Sequence, residues 1–141
     1  MVNEAKTMKL SSKTITAIKM FIDLGEHYQD GYISLKDIAS RKEVSKKFLE
    51  QIVPIYKNYG LLLGTRGNQG GYRLAKKPED ISLKEIIYLV EDSFNSDSTG
   101  FSPVDWMMGS INEVLDTYFH QLSLAQLVEK QKESYPFDYS I

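Results

Sequence analysis

Residues 65–74 of this 141-residue chain read Thr65-Arg66-Gly67-Asn68-Gln69-Gly70-Gly71-Tyr72-Arg73-Leu74, and the chemistry they offer is contact with a polyanion. Three glycines let a loop take positive φ and bring its backbone against another surface, while Arg66 beside them can enter a groove or clamp a phosphate. An ordinary hairpin turn has the same composition, so the reading depends on what surrounds the loop. A second set stands just upstream. Ser45 has the character of a helix cap, and the N–H groups and dipole of the helix it opens favour phosphate, to which Lys46 and Lys47 add charge. One turn further, the Glu50 carboxylate can accept from cytosine N4 and the Gln51 amide can pair with adenine in a major groove. Glu50 reads equally as a solvated charge or an intrahelical pair with Lys46 or Lys47. Lys13, Lys36, Arg41 and Lys42 are further candidates for phosphate contacts.

The chain holds little material for catalysis or metal binding. It contains no cysteine, which removes disulfides, thiolate zinc sites and cysteine-ligated iron-sulfur clusters by inventory. His27 and His120 are the only histidines and lie far apart in sequence, as isolated surface or core residues do. No nucleotide-binding glycine pattern joins a strand to a helix. We expect no enzyme activity, no cofactor and no metal. No run approaches the roughly 18 apolar residues of a membrane span, and residues 1–7 are polar with no signal-peptide core, so a cytoplasmic protein without membrane contact is expected.

Charge is divided along the chain more than its net value of −2 suggests. Residues 8–77 carry 13 Lys/Arg against 6 Asp/Glu, whereas residues 78–141 carry 3 against 12. A basic half that binds a polyanion and an acidic half with another task fits this division, although a solvated basic face without a partner would produce it too.

The elements that must position these side chains follow from periodicity. Residues 11–28 place Ile15, Ile18, Phe21, Ile22 and Leu24 at helical spacing, with Gly25 and the polar run 27–31 ending the helix. Ser34, with Asp37 three positions on, caps a short second helix whose Leu35, Ile38 and Ala39 face a core. From Ser45, the residues Phe48, Leu49, Ile52, Val53 and Tyr56 form a third. Pro54 lies inside it and predicts a kink or break that confines the reading part to residues 45–52. Residues 61–63 and 72–74 flank the glycine loop as two strands. Ser82 and Glu85 form a capping box for a fourth helix, mostly buried, with Ile86, Ile87, Leu89 and Val90. The pattern is mainly α with a small β-hairpin: a helix-turn-helix followed by a glycine-tipped hairpin, which is a winged helix.

Residues 92–103 turn polar and small, as an exposed loop does. Beyond them Met108, Ile111, Leu115, Tyr118 and Leu122 step by three and four in a heptad seam, with Trp106, Met107 and Phe119 adding apolar surface beside it. A partner helix is the natural cover; packing back onto the same domain is the alternative. Residues 124–132 suit another short helix. The plan is an extension at 1–7, a winged helix at 8–91, the loop at 92–103, a dimerisation region at 104–134 and a tail at 135–141. Tyr88, Phe94, Phe101 and Trp106 could line a ligand pocket or simply pack a core.

The run Met8-Lys9-Leu10-Ser11, then Ile38-Ala39, Phe48-Leu49-Glu50-Gln51-Ile52, Arg66-Gly67 with Gly70-Gly71-Tyr72-Arg73-Leu74, and Ile81-Ser82-Leu83 with Ile86-Ile87 and Val90-Glu91, resembles the Rrf-two family of bacterial winged-helix regulators. The resemblance covers residues 8–92 and extends to the long helix. It implies a homodimer crossed through that helix, binding double-stranded DNA with two third helices in successive major grooves and two wings in flanking minor grooves. It also implies a transcriptional regulator, by family habit a repressor, in which Glu50 matches a base-reading position. The wing tip would be Arg66, Gly67, Asn68, Gln69, Gly70 and Gly71, with Tyr72 and Arg73 as framework and a phosphate contact. Glu43 stands where relatives carry glycine or asparagine. Cluster-binding relatives place three cysteines in the segment that is 92–103 here, where this chain offers Ser, Asp, Asn and Thr. Like some family members without a cluster, the chain would respond to a small metabolite, to a protein partner, or to nothing beyond its own concentration. A winged-helix module that binds protein, with no operator, is the competing reading.

Overall fold

The computed structural model describes residues 10–67, 70–92 and 100–134. The expected extension at 1–7 and tail at 135–141 lie outside them, as do Asn68, Gln69, Phe94 and most of the 92–103 loop. Six helices and one hairpin follow in the order α1 (Ser12–Glu26), α2 (Leu35–Lys42), α3 (Lys46–Tyr59), β1 (Leu62–Thr65), β2 (Gly71–Leu74), α4 (Leu83–Tyr88), α5 (Pro103–Gln121) and α6 (Leu124–Ser134).

Each helix starts where its cap directs. Ser11, Ser34, Ser45 and Ser82 each accept a hydrogen bond from the N–H three residues on. Ser82 and Glu85 complete the expected reciprocal box, and Ser102 with Asp105 forms another ahead of Pro103 at the first turn of α5. α2 stops at Glu43, which takes the left-handed conformation with φ 54° and ψ 49°. Glycine or asparagine takes that conformation more readily than glutamate, whose Cβ is strained there.

The core gathers one face of every helix of the winged domain. Ala17, Met20, Phe21 and Leu24 of α1 meet Ile38 of α2, Leu49, Ile52, Val53 and Tyr56 of α3, and Ile86 and Ile87 of α4. The α1 stripe is rotated from the expected one: Ile15 is exposed and Ile18 and Ile22 only half-buried, because Thr14, Ala17 and Met20 are the residues that turn inward. Gly25, expected to end α1, lies inside it. It is where α6 packs: a Cβ there would come within 2.8 Å of Val128 Cγ2, and Leu124 and Val128 are buried against the domain. Part of the region expected for dimerisation therefore closes the domain's own core.

α3 is also longer than expected. The helix continues through Pro54 to Tyr59 without a break, ending on Gly60 at φ 97°. Pro54 lies on the same exposed face as Glu50, four residues back, so the carbonyl that loses its helical donor faces water. Burial of Leu49, Ile52, Val53 and Tyr56 on the opposite face anchors the helix to the core on both sides of the proline.

The hairpin is antiparallel, pairing Leu62 with Leu74, Leu63 with Arg73, Gly64 with Tyr72 and Thr65 with Gly71. An isolated bridge between Ile33 and Tyr72 ties it to the α1–α2 connection. Gly71 is required by this tie, because a Cβ would collide with the Ile33 carbonyl.

Candidate nucleic-acid interface

The first half of α3 and the hairpin share an exposed polar surface. Ser45, Lys46, Lys47, Glu50 and Gln51 are all exposed, while Leu49 among them and Ile52 just after them are fully buried. The helix thus offers one polar stripe from its N-terminus onward, its Ser45 Oγ accepting from Phe48 N–H at 3.2 Å. Lys36 on α2 is exposed as well. Arg66 follows β1 directly and is exposed, with Gly67 at φ 106° beyond it. Gly70 N–H closes the turn on the Gly67 carbonyl at 2.9 Å. A Cβ on Gly70 would lie 2.6 Å from the Thr65 carbonyl oxygen, so the close approach expected of this glycine is made within the hairpin. Tyr72 is half-buried, and its ring covers Gly64, where a Cβ would lie 3.0 Å from Tyr72 Cε1.

Two of the candidate phosphate contacts are engaged elsewhere. Arg41 grips the buried Asp23 with Nε at 2.8 Å and Nη2 at 2.9 Å, a bond that raises its own pKa above the ordinary value. Lys42 Nζ lies 2.5 Å from Glu26 Oε1. Both lysine and arginine brace α2 on α1. Arg73, too, is turned toward the protein, its guanidinium carbon 5.9 Å from the Tyr28 ring centroid and 5.6 Å from that of Tyr32.

On α5 the apolar side chains divide between two faces. Trp106, Met107, Met108, Ile111, Val114 and Tyr118 are exposed, with Trp106 at 75% and Val114 at 68%, whereas Leu115 and Leu122 are half-buried. Phe119, expected beside the seam, is buried by its own chain, its ring 6.4 Å from that of Tyr88. Val114, three residues after Ile111 and four before Tyr118, is exposed on the same side, although the seam read from spacing passes over it. Of the residues considered for a pocket, Phe101 and Trp106 stand in solvent. Tyr88 instead lines an open groove of about 570 Å³ with Tyr59, Ser82, Lys84, Leu89 and His120. Lys84 Nζ is 2.9 Å from Asp116 Oδ1, which joins α4 to α5 across this groove. Sequence reasoning also missed Glu91: it is buried, and its Oε1 accepts from Ser11 N–H at 2.7 Å, linking the end of α4 to the cap of α1.

The arrangement is a helix-turn-helix whose third helix and glycine-tipped hairpin project from one basic body. A family model described as Rrf2, iron-dependent transcriptional regulator, matches residues 10–130. The chain belongs to the Rrf2 family. It is 35% identical over 85 residues to Protein rrf2 of Nitratidesulfovibrio vulgaris, a match that covers 60% of this chain and 57% of that protein. Over 89 residues it is 37% identical to the HTH-type transcriptional regulator IscR of Aliivibrio salmonicida, covering 63% and 53% of the two chains. It thus spans little more than half the length of these two relatives. The IscR of Yersinia enterocolitica is 30% identical over 135 residues, 88% of this chain and 81% of that one. Among solved structures, T. potens IscR superposes with a TM-score of 0.81 at 30% identity, covering 96% of this chain and 97% of that one. CymR, the global cysteine regulator of B. subtilis, gives 0.76 at 27%, covering 88% and 98%. The family and the IscR relatives are described as transcriptional regulators, not enzymes, and this Rrf2-family chain has the fold of these neighbours: mostly helical, with a two-stranded wing.

The iron of the family description does not fit this chain's donors. Cysteine is absent from the whole sequence, and among the described residues no three His, Asp or Glu side chains gather where a metal ion could be held. Nor is any helix among the described residues long and apolar enough to cross a membrane.

Proposed function

We propose that this Rrf2 regulator acts in the cytoplasm as a homodimeric, sequence-specific repressor that binds an inverted-repeat operator without an iron-sulfur cluster. Ser45, Lys46, Lys47 and Lys36 contact phosphates, and Glu50 and Gln51 read base edges in the major groove. Arg66, with Gly67, Asn68 and Gln69, enters the minor groove, and Gly70, Gly71 and Tyr72 form the frame of the wing. The observation that carries this reading is the unbroken exposed stripe of Ser45, Lys46, Lys47, Glu50 and Gln51 on a helix whose other face is fully buried, with exposed Arg66 on the adjoining hairpin. A helix N-terminus with two lysines attracts phosphate, and a carboxylate and an amide one turn on suit base edges. The homodimer is supported by the uncovered apolar face of α5 from Trp106 through Met108, Ile111 and Tyr118, with half-buried Leu115 and Leu122 along its edge.

The test is to incubate the purified protein with sheared host DNA and sequence the fragments retained at two salt concentrations. Retained fragments are expected to share an inverted repeat and to be lost steeply as salt rises, because neutralised phosphates release counterions. Transcription from promoters holding that repeat is expected to fall when the protein is added. Retention of no fragment, or of fragments with no common sequence, would overturn the reading in favour of a protein-binding module.

A further inference from the structure

Leu62 and Leu74 sink the base of the wing into the core, and two further lines join it to the body. One is backbone: Ile33 N–H donates to the Tyr72 carbonyl at 2.9 Å and Tyr72 N–H to the Ile33 carbonyl at 2.8 Å. The other is a side chain. Arg73 points its guanidinium at Tyr28, which opens the 3-10 turn Tyr28–Asp30, and at Tyr32, which is 40% exposed. Gly31, at φ 83°, reverses the chain between the two rings. Among the described residues no carboxylate pairs with Arg73, so its charge is met by the faces of two aromatic rings.

We propose that Arg73 is a positioning residue of the wing, bracketed by Tyr28 and Tyr32 so that the hairpin is held at one angle on the α1–α2 connection and Arg66 at one place in the DNA groove. The bridge at Ile33 and Tyr72 and the core burial of Leu62 and Leu74 fix the base of the hairpin, the two leucines from one of its faces. Arg73, one residue along β2 and paired with Leu63 on the opposite face, braces the hairpin from the other side. The lever is long enough to matter. Arg66 lies three strand positions beyond Leu63, the cross-strand partner of Arg73, so the tip stands roughly 10 Å from the clamp at about 3.3 Å per residue. A pivot of about 10° would carry the tip about 2 Å, enough to break a hydrogen bond. Arginine suits the task better than lysine because its planar guanidinium stacks on a ring face. The second half of the proposal, the placement of Arg66, rests on the DNA-binding reading above; the first half does not.

Two measurements on the full-length protein test it. In the absence of DNA, amide hydrogen exchange at Ile33, Thr65 and Tyr72 is expected to be roughly fivefold or more faster in Arg73→Ala and in Tyr32→Leu, with α1 and α3 unchanged and Arg73→Lys intermediate. Unchanged protection of the wing in both variants overturns the clamp. Tyr32 is the safer ring to remove, since Tyr28 is more deeply packed. With operator DNA, Arg73→Ala is expected to weaken binding when Arg66 is present and to add nothing in the Arg66→Ala background. Additive losses, with a further unit taken from the salt slope, would make Arg73 a phosphate contact and overturn the positioning role. Should the parent protein retain no DNA, the functional reading fails while the exchange measurement still decides whether the clamp exists.

Discussion

Arg41 holds the two carboxylate oxygens of Asp23 at 2.8 and 2.9 Å, and Asp23 has no exposed surface at all. One charged group at the rim of the domain thus neutralises another inside it, and the pair fixes α2 on α1 within the helix-turn-helix. Arg41→Ala would leave a buried carboxylate without its counter-charge. The Arg41 side chain is itself 39% exposed, so water reaches the pair and the loss is expected at about 1–3 kcal/mol, below that of a fully buried pair. Urea denaturation would measure it. A shift in midpoint worth less than half a kilocalorie would show that Asp23 finds another partner.

Tyr56 gives a stability that depends on pH at the alkaline end. Its buried hydroxyl donates to the Ile86 carbonyl at 2.5 Å near the end of α4, and burial pushes its ionisation well above the ordinary value of 10.0. The folded protein keeps this proton to higher pH than the unfolded chain does. The contribution is therefore complete below pH 10 and declines as pH rises beyond it, by about 1.4 kcal/mol per pH unit. Tyr56→Phe is expected to cost about 1–3 kcal/mol at neutral pH, by leaving a carbonyl without its donor, and to flatten the alkaline decline. Denaturant midpoints of the two proteins between pH 8 and 11 would show it; parallel curves would mean that another group controls that limb.

The parts of this fold written in local chemistry were legible before the structure. Serine caps, apolar spacing and glycine-flanked runs place α1 to α4 and both strands to within a few residues, because each signal acts over one turn of helix or one hairpin. What escaped depends on contacts distant in sequence. Gly25 reads as a helix stop, but its lack of a side chain serves α6, a hundred residues later. Arg41 and Lys42 read as phosphate ligands because a cation's partner on another helix leaves no mark at its own position. The bridge from Ile33 to Tyr72 and the clamp on Arg73 were hidden for the same reason. Phe119 reads as apolar surface beside the seam, yet Tyr88 packs on it from within the chain.

The apolar face of α5 should decide the oligomeric state separately from the fold. Ile111 is 44% exposed and Val114 68%, so an aspartate at either place meets solvent in the isolated chain. Ile111→Asp and Val114→Asp are expected to give well-folded monomers by sedimentation equilibrium, with circular dichroism unchanged. A protein that stays dimeric with both substitutions would place its interface away from α5.

Arg66 and Glu50 should fail in different ways. Arg66→Ala removes one cation, so operator binding is expected to weaken across sequences and the salt slope to fall by about one. Glu50→Ala is expected to relax base preference at one position of each half-site, a discrimination worth about 1–3 kcal/mol, with modest change in affinity for the best site. Selection from randomised half-sites separates the two. An unaltered preference in Glu50→Ala would return that carboxylate to the role of a solvated charge or a partner of Lys46 or Lys47.

Pro54 sets the last expectation, because it occupies an exposed position in the middle of a 14-residue helix. It withholds the N–H that the Glu50 carbonyl would accept and carries a helix-interior penalty of about 3 kcal/mol against alanine. Part of that penalty is absorbed here, since Glu50 and Pro54 lie on the exposed face and the buried face of α3 anchors the helix on both sides of the proline. Pro54→Ala is therefore expected to stabilise the protein by about 1–2 kcal/mol, read as a raised urea midpoint with an unchanged slope. Operator affinity should stay as it was, because Glu50 and Gln51 already sit on a continuous helix. If stability rises while base preference shifts, the proline bends α3 enough to aim Glu50, and the helix axis itself would belong to the reading surface.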